Sequence, residues 1–206
     1  MKIEQGRELG YHVMSICILM GSMRKNGNTE ALLRPFIEQL KFEGIDVQYI
    51  WLCDKHMEPC RSCFACQGIE GRPGCPIDDE MEQIYKAILE ADCIVFATPI
   101  YSWFCTAPMK IVMDRLFSMN KYYGNTKRHY SLWEGKKCAI IATCGYEIKN
   151  GADLFEAGVK RLVEHSHLHY LGMLAVRDIN GITDFETEEV IDKAKKFALD
   201  VKYLIL

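Results

Sequence analysis

The chain has 206 residues, 49% of them hydrophobic and 26% charged, enough to bury one sizeable core, and it reads as a single domain over 1–206. A formal net charge of −3 offers no attraction to nucleic acid or an anionic membrane surface, and no apolar run approaches the roughly 20 residues of a membrane span. Met1 to His12 is polar and charged and does not read as a secretory leader; ten cysteines without one point to a reducing cytoplasm rather than a disulfide scaffold.

Val13 to Met20 is a short apolar run of the kind a strand buried on both faces needs. A polar loop leads into a helix over 29–43 that ends at Gly44, with Pro35 inside it, where a kink or an early stop is expected. Asp46 to Leu52 forms a second strand, and a cysteine-rich loop covers 53–77. Asp78 and Asp79 then cap a helix whose Ile84, Ile88 and Leu89 share one face. Cys93 to Thr98 is a third strand, followed by a loop from Pro99 to Thr106 and a helix from Ala107 to Met119 with Pro108 in its first turn. A strand over 137–143, a helix near 152–166, a strand near 169–176 and a helix over 186–204 complete the series. This alternation predicts an α/β fold: a doubly wound, five-stranded parallel sheet of flavodoxin-like order 2-1-3-4-5, with helices on both faces. Cys17, Cys93 and Cys138 fall inside strands, where cysteine serves as a small hydrophobe.

In such a sheet ligands lie beyond the carboxyl ends of the strands, where the strand order reverses. Loops 21–29, 99–106 and 143–151 converge there. The first is Gly21-Ser22-Met23-Arg24-Lys25-Asn26-Gly27-Asn28-Thr29. Its glycines let backbone N–H groups turn toward one point, the helix N-terminus adds positive potential, and Arg24 can grip a phosphate with two parallel bonds. Ser22, Asn26, Asn28 and Thr29 add hydroxyls and amides. The set suits a terminal phosphomonoester; the G-x-G-x-x-G spacing for a pyrophosphate is absent, and an ordinary polar capping loop is the plain alternative. The second loop, Pro99-Ile100-Tyr101-Ser102-Trp103-Phe104, offers apolar and aromatic surface for a flat ring, although Trp103 and Phe104 equally suit a core edge or a subunit interface. Thr143, Cys144, Gly145 and Tyr146 in the third could bond a ring edge. A terminal phosphate beside a flat heteroaromatic ring describes flavin mononucleotide, FMN.

Cys60, Cys63, Cys66 and Cys75 lie within sixteen residues, followed by Pro76. A [4Fe-4S] cluster, a zinc site and a loop of free thiols all fit this spacing; the gap before Cys75 is longer than in the compact cluster motif, and zinc sites more often use two separated C-x2-C pairs. Cys53 is a spare ligand or none. His165, His167 and His169 suit either a metal or a solvated capping stretch. No Ser/His/Asp set and no H-E-x-x-H pattern is present, so redox chemistry without a side-chain base is expected.

Gly21-Ser22-x-Arg24-x-x-Gly27-Asn28-Thr29, then Cys60-x-x-Cys63-x-x-Cys66 with Cys75 and Asp78-Asp79-Glu80-Met81, then Pro99-Ile100-Tyr101 and Lys110 to Arg115, resemble the NADPH-dependent FMN reductase and iron–sulfur flavoprotein family over about 13–150. The resemblance implies FMN phosphate on Ser22, Arg24, Asn28 and Thr29. The ring would lie against Pro99, Ile100, Tyr101 and Ser102, with Thr143 and Gly145 at its far edge. It implies a homodimer or homotetramer with the flavin near a subunit boundary, which would give Trp103 a second use. Lys110, Asp114 and Arg115 read as an ion-pair brace or dimer surface. Two functions follow: an NAD(P)H-dependent flavin oxidoreductase that reduces a small-molecule acceptor, or a carrier passing single electrons from ferredoxin through a [4Fe-4S] cluster to FMN.

Overall fold

A computed structural model describes residues 13–123 and 129–205; the Met1–His12 lead-in lies outside them. Five parallel strands, β1 (Ser15–Met20), β2 (Asp46–Trp51), β3 (Cys93–Pro99), β4 (Lys137–Cys144) and β5 (His169–Arg177), stand in the order β2-β1-β3-β4-β5, the doubly wound flavodoxin-like arrangement. The central strands are apolar on both faces because both are covered. Ile16, Ile18 and Met20 of β1 pack with Leu32, Leu33 and Phe36 of α1 (Asn28–Phe42) and with Val190, Ala194 and Val201 of the helix Glu188–Ile205. Cys17 and Leu19 alternate to the other face, toward α2 (Met81–Glu90), α3 (Ala107–Arg115) and α4 (Asp153–His165), so Glu188–Ile205 is α5. Cys17, Cys93 and Cys138 are fully buried in these layers.

Three expectations change. Helix α1 runs unbroken through Pro35, whose ring is buried on the inward face with Leu32 and Phe36; that packing offsets the lost N–H and the clash with the preceding turn. Helix α3 stops at Arg115 and tightens into a 3-10 turn, Leu116–Met119. Asp78 caps nothing: it is exposed, while the Asp79 carboxylate accepts a bond from the Met81 N–H at 3.1 Å. A short antiparallel pair, Asn120–Lys121 with Tyr130–Ser131, was not foreshadowed by any alternation of side chains.

Gly21 closes β1 where α3 approaches. Its N–H bonds the Ala97 carbonyl at 2.8 Å and its own carbonyl accepts the Thr106 hydroxyl at 2.6 Å. A Cβ there would stand 2.9 Å from Thr106 Oγ1 and 3.0 Å from Met109 Cβ. Gly21→Ala is therefore expected to destabilise the fold by about 1–3 kcal/mol through overpacking, read from urea unfolding midpoints. An unchanged midpoint would show that α3 shifts freely.

Candidate functional site

Loops 21–29, 99–106 and 143–151 meet at the carboxyl ends of β1, β3 and β4 around a hollow of about 430 Å³. From the first loop it is lined by Ser22, Arg24, Asn28 and Thr29, and from the others by Pro99, Ile100, Tyr101, Thr143, Cys144, Gly145 and Tyr146. The Ser22 hydroxyl accepts the Arg24 N–H at 3.2 Å, while the Ser22 carbonyl accepts the Trp51 indole N–H at 2.7 Å. Thr29 and Thr143 share a buried hydroxyl–hydroxyl bond at 2.8 Å, which ties the first loop to the third. Gly27 is the N-cap of α1 and supplies no side-chain cap, which leaves the first-turn N–H groups, beside the lining residues Asn28 and Thr29, without a competing side-chain oxygen. A Cβ at Gly27 would crowd Arg24 Cβ at 3.1 Å and Nε at 3.3 Å.

Asn26 does not line this hollow. Ser102 and Trp103 line an adjoining one of about 320 Å³ with Ile100, Gly145, Tyr146 and Gly151. Tyr101 and Phe104 exchange backbone bonds at 2.9 and 3.0 Å, and Ser102 and Trp103 turn the tip with φ of 50° and 63°. Two non-glycine residues in the left-handed region are strained, at roughly 1–3 kcal/mol each. The turn lays Trp103 on Tyr146, centroids 5.5 Å apart and planes 15° apart, and its indole N–H reaches the Asn150 carbonyl at 3.1 Å. Phe104 instead packs edge-on to Phe155. A fourth loop, which the sequence reading missed, adds Asp178, Asn180 and Gly181, with Asn28 Nδ2 donating to Asp178 Oδ2 at 2.7 Å.

The cysteines stand elsewhere. Cys60, Cys63, Cys66 and Cys75 line one hollow of about 530 Å³ on the α3 face, with Arg115, Phe117 and His165 among its walls. Left-handed residues Ser62 and Phe64 bend the C-x2-C-x2-C run around it. Cys60 and Cys63 are exposed and Cys66 is buried, which pushes the Cys66 thiol above its ordinary pKa. Among the described residues, no three His, Cys, Asp or Glu side chains converge closely enough to hold a metal ion as they stand. Cys53 is not part of this set; its sulfur lies 3.1 Å from the Ser22 carbonyl. His165 and His167 pack edge-on to the Tyr122 ring.

The loop is held from behind by buried polar groups. The Gln67 amide donates to the carbonyls of Phe117 and Asn120 at 3.2 and 2.9 Å and accepts from the N–H groups of Tyr122 and Tyr123. Lys121 Nζ donates to the Cys66 and Pro73 carbonyls at 2.8 and 2.9 Å. Lys110 and Asp114 form the expected exposed brace at 2.6 Å. Arg115 is also in an ion pair, but a buried one with Asp79 at 2.8 Å, both side chains 1% exposed, which corrects its placement on a dimer surface.

Residues 14–182 match the family model for NADPH-dependent FMN reductase. The chain belongs to that family. An iron-sulfur flavoprotein of Methanosarcina thermophila is 29% identical over 202 residues, 93% of this chain and 97% of that protein. Another, of Methanocaldococcus jannaschii, is 38% identical over 102 residues, and the match spans about half of each, 50% of this chain and 51% of the relative. An NAD(P)H:quinone oxidoreductase from Methanothermobacter marburgensis superposes with a TM-score of 0.69 at 16% identity, covering 92% of this chain and 100% of that one, a likeness of fold. Membership of the family makes the protein one of the FMN-dependent oxidoreductases.

Proposed function

We propose that the protein is an NAD(P)H-dependent flavin oxidoreductase holding FMN in the hollow at the carboxyl ends of β1, β3 and β4. The observation that carries this reading is the meeting of three loops around one space of about 430 Å³, within the range of roughly 300–1,000 Å³ common to small-molecule sites. Ser22, Arg24, Asn28, Thr29 and the uncapped first turn of α1 would hold the phosphate. Pro99, Ile100 and Tyr101 would carry the ring, with Thr143 and Gly145 at its far edge. Bound FMN would supply hydride acceptance and its onward transfer. The chain's own work is to fix the ring's position, shield one face from water and leave the other open to NAD(P)H and a small-molecule acceptor.

Arg24 tests the cradle. Arg24→Ala is expected to weaken FMN binding about 10- to 100-fold, the range for losing hydrogen bonds to a charged group, and to leave riboflavin binding unchanged. Fluorescence titration reads both; equal losses for the two ligands would remove Arg24 from the phosphate. Anaerobic mixing with NADPH should bleach the FMN bands, and a chain that binds no flavin would end the reading.

A second reading is favoured by four thiols lining one hollow together with an orphaned donor: Arg115 Nε is buried and has no hydrogen-bond partner. A thiol donor set backed by a buried cation suits a thiolate-bound, anionic [4Fe-4S] cluster on Cys60, Cys63, Cys66 and Cys75. Bound, it would store and pass single electrons, with ferredoxin as donor. Bleaching by reduced ferredoxin but not by NADPH would favour this carrier. A homodimer or homotetramer would cover the exposed Trp103 and Tyr146 at the mouth of the flavin site. Among the described residues, no helix is long and apolar enough to cross a membrane.

A further inference from the structure

Lys121 is fully buried behind the cysteine loop. Its ammonium is fixed by two carbonyls, those of Cys66 and Pro73, and no carboxylate of the described residues pairs with it. A buried ammonium without a counter-ion is costly, and a fold keeps one where an anion compensates it. Asp79 does not supply that anion, because its carboxylate is already matched by the Arg115 guanidinium at 2.8 and 3.1 Å. Arg115 adds a second sign of the same need: its Nε–H is an orphaned donor on a residue that lines the cysteine hollow.

We propose that Lys121 and Arg115 form a cationic back wall to the cysteine hollow, Lys121 as the counter-ion to thiolate sulfur and Arg115 Nε as a hydrogen-bond donor to it, and that the two set the reduction potential of the bound cluster. This rests on the cluster reading above. Both are positioning residues. One electron from a reductant such as dithionite makes the thiolate-ligated cluster more negative by one charge, with no bond broken. A fixed positive charge close by favours the reduced form, and it acts strongly because the site is away from water. Lys121 is therefore expected to raise the potential above that of a hollow without it.

The test is an anaerobic redox titration of the full chain, followed by electron paramagnetic resonance, with iron and sulfide assayed on the same samples. Lys121→Met keeps the length and apolar stem and removes the charge; Lys121→Arg keeps the charge. At the potential where wild type is half reduced, the Met variant is expected to show about tenfold less reduced cluster per oxidised cluster, a shift of about 59 mV for a one-electron couple. The Arg variant should stay within twofold of wild type. An unchanged titration in the Met variant, at full iron content, overturns the proposal and leaves the cluster reading standing. Wild type without iron or sulfide after reconstitution overturns both. If the Met variant does not fold, wild type carrying nitrogen-15 at lysine Nζ or arginine Nε decides. Coupling of both labels to the reduced cluster in the spin-echo modulation supports the back wall, and the absence of both overturns it.

Discussion

Replacing Asp79 by alanine is expected to destabilise the protein by about 3–5 kcal/mol at pH 7, the cost of stranding one member of a buried ion pair. The Arg115 guanidinium would keep only the Glu58 carbonyl, at 2.8 Å, as a partner. The Glu58 and Met81 N–H groups, which the carboxylate also accepts at 2.9 and 3.1 Å, would lose theirs. Asp79→Asn keeps the shape and part of the bonding and should lose less. Burial alone would raise the Asp79 carboxyl, but the bonds from Arg115, Glu58 and Met81 more than reverse this and hold it below its ordinary value. The sign follows: the folded state binds this proton less readily than the unfolded chain. The contribution is fully present above the unfolded aspartate pKa of about 3.9 and fades as pH falls through the lower folded value. Urea midpoints of wild type should therefore fall more steeply below about pH 4 than those of Asp79→Asn. Parallel curves would show that the pair is not the acid-sensitive element.

Trp133→Ala is the second large effect, about 3–5 kcal/mol, from the cavity left by a fully buried indole. The indole N–H also reaches Asn120 Oδ1 at 3.3 Å, and Asn120 Nδ2 donates to Ser166 at 2.9 Å. Asn120 is the residue whose carbonyl receives Gln67, so the loss should loosen the cysteine loop as well as the core. Two measurements separate these: the urea midpoint, and the alkylation rate of Cys66, which is 7% exposed in the intact fold. Trp133→Phe should recover most of the stability. Unchanged Cys66 reactivity in a folded Trp133→Ala variant would confine the indole's role to packing.

The sheet was legible because burial on both faces leaves a plain mark: Ile16 to Met20, Cys93 to Ala97 and Cys138 to Ala142 carry almost no polar residue. Strand order followed from the alternation with helices, and strand order brought the three loops together. What stayed hidden depends on side-chain direction and on distant partners. Arg115 follows Lys110 and Asp114 in the same short helix, and its inward partners, Asp79 and the Glu58 carbonyl, lie 36 and 57 residues away along the chain. Lys121 sits between Asn120 and Tyr122 with nothing in its neighbours to announce burial. Asp178 follows β5, too far along the chain for its bond to Asn28, 150 residues away, to be inferred. Asn26 shows the converse: in a loop rich in ligand-like groups, the backbone decides which side chains face inward.

Helix α3 lines the cysteine hollow with Met113, Asp114 and Arg115, and its N-terminal end is tied to the loop that borders the other hollow. Thr106, just before it, holds the carbonyl of Gly21 at the base of loop 21–29, and Arg115, its last residue, lines the cysteine hollow. Nine helical residues span about 14 Å, so for the flavin and cluster proposed above the helix is a ruler that sets their separation by residue count. Loop sequence can drift at either end without changing that interval. One residue added or removed inside α3 would alter it by only about 1.5 Å but would swing one end by about 100° against the other, turning Arg115 away from the cysteines while Thr106 stayed in place.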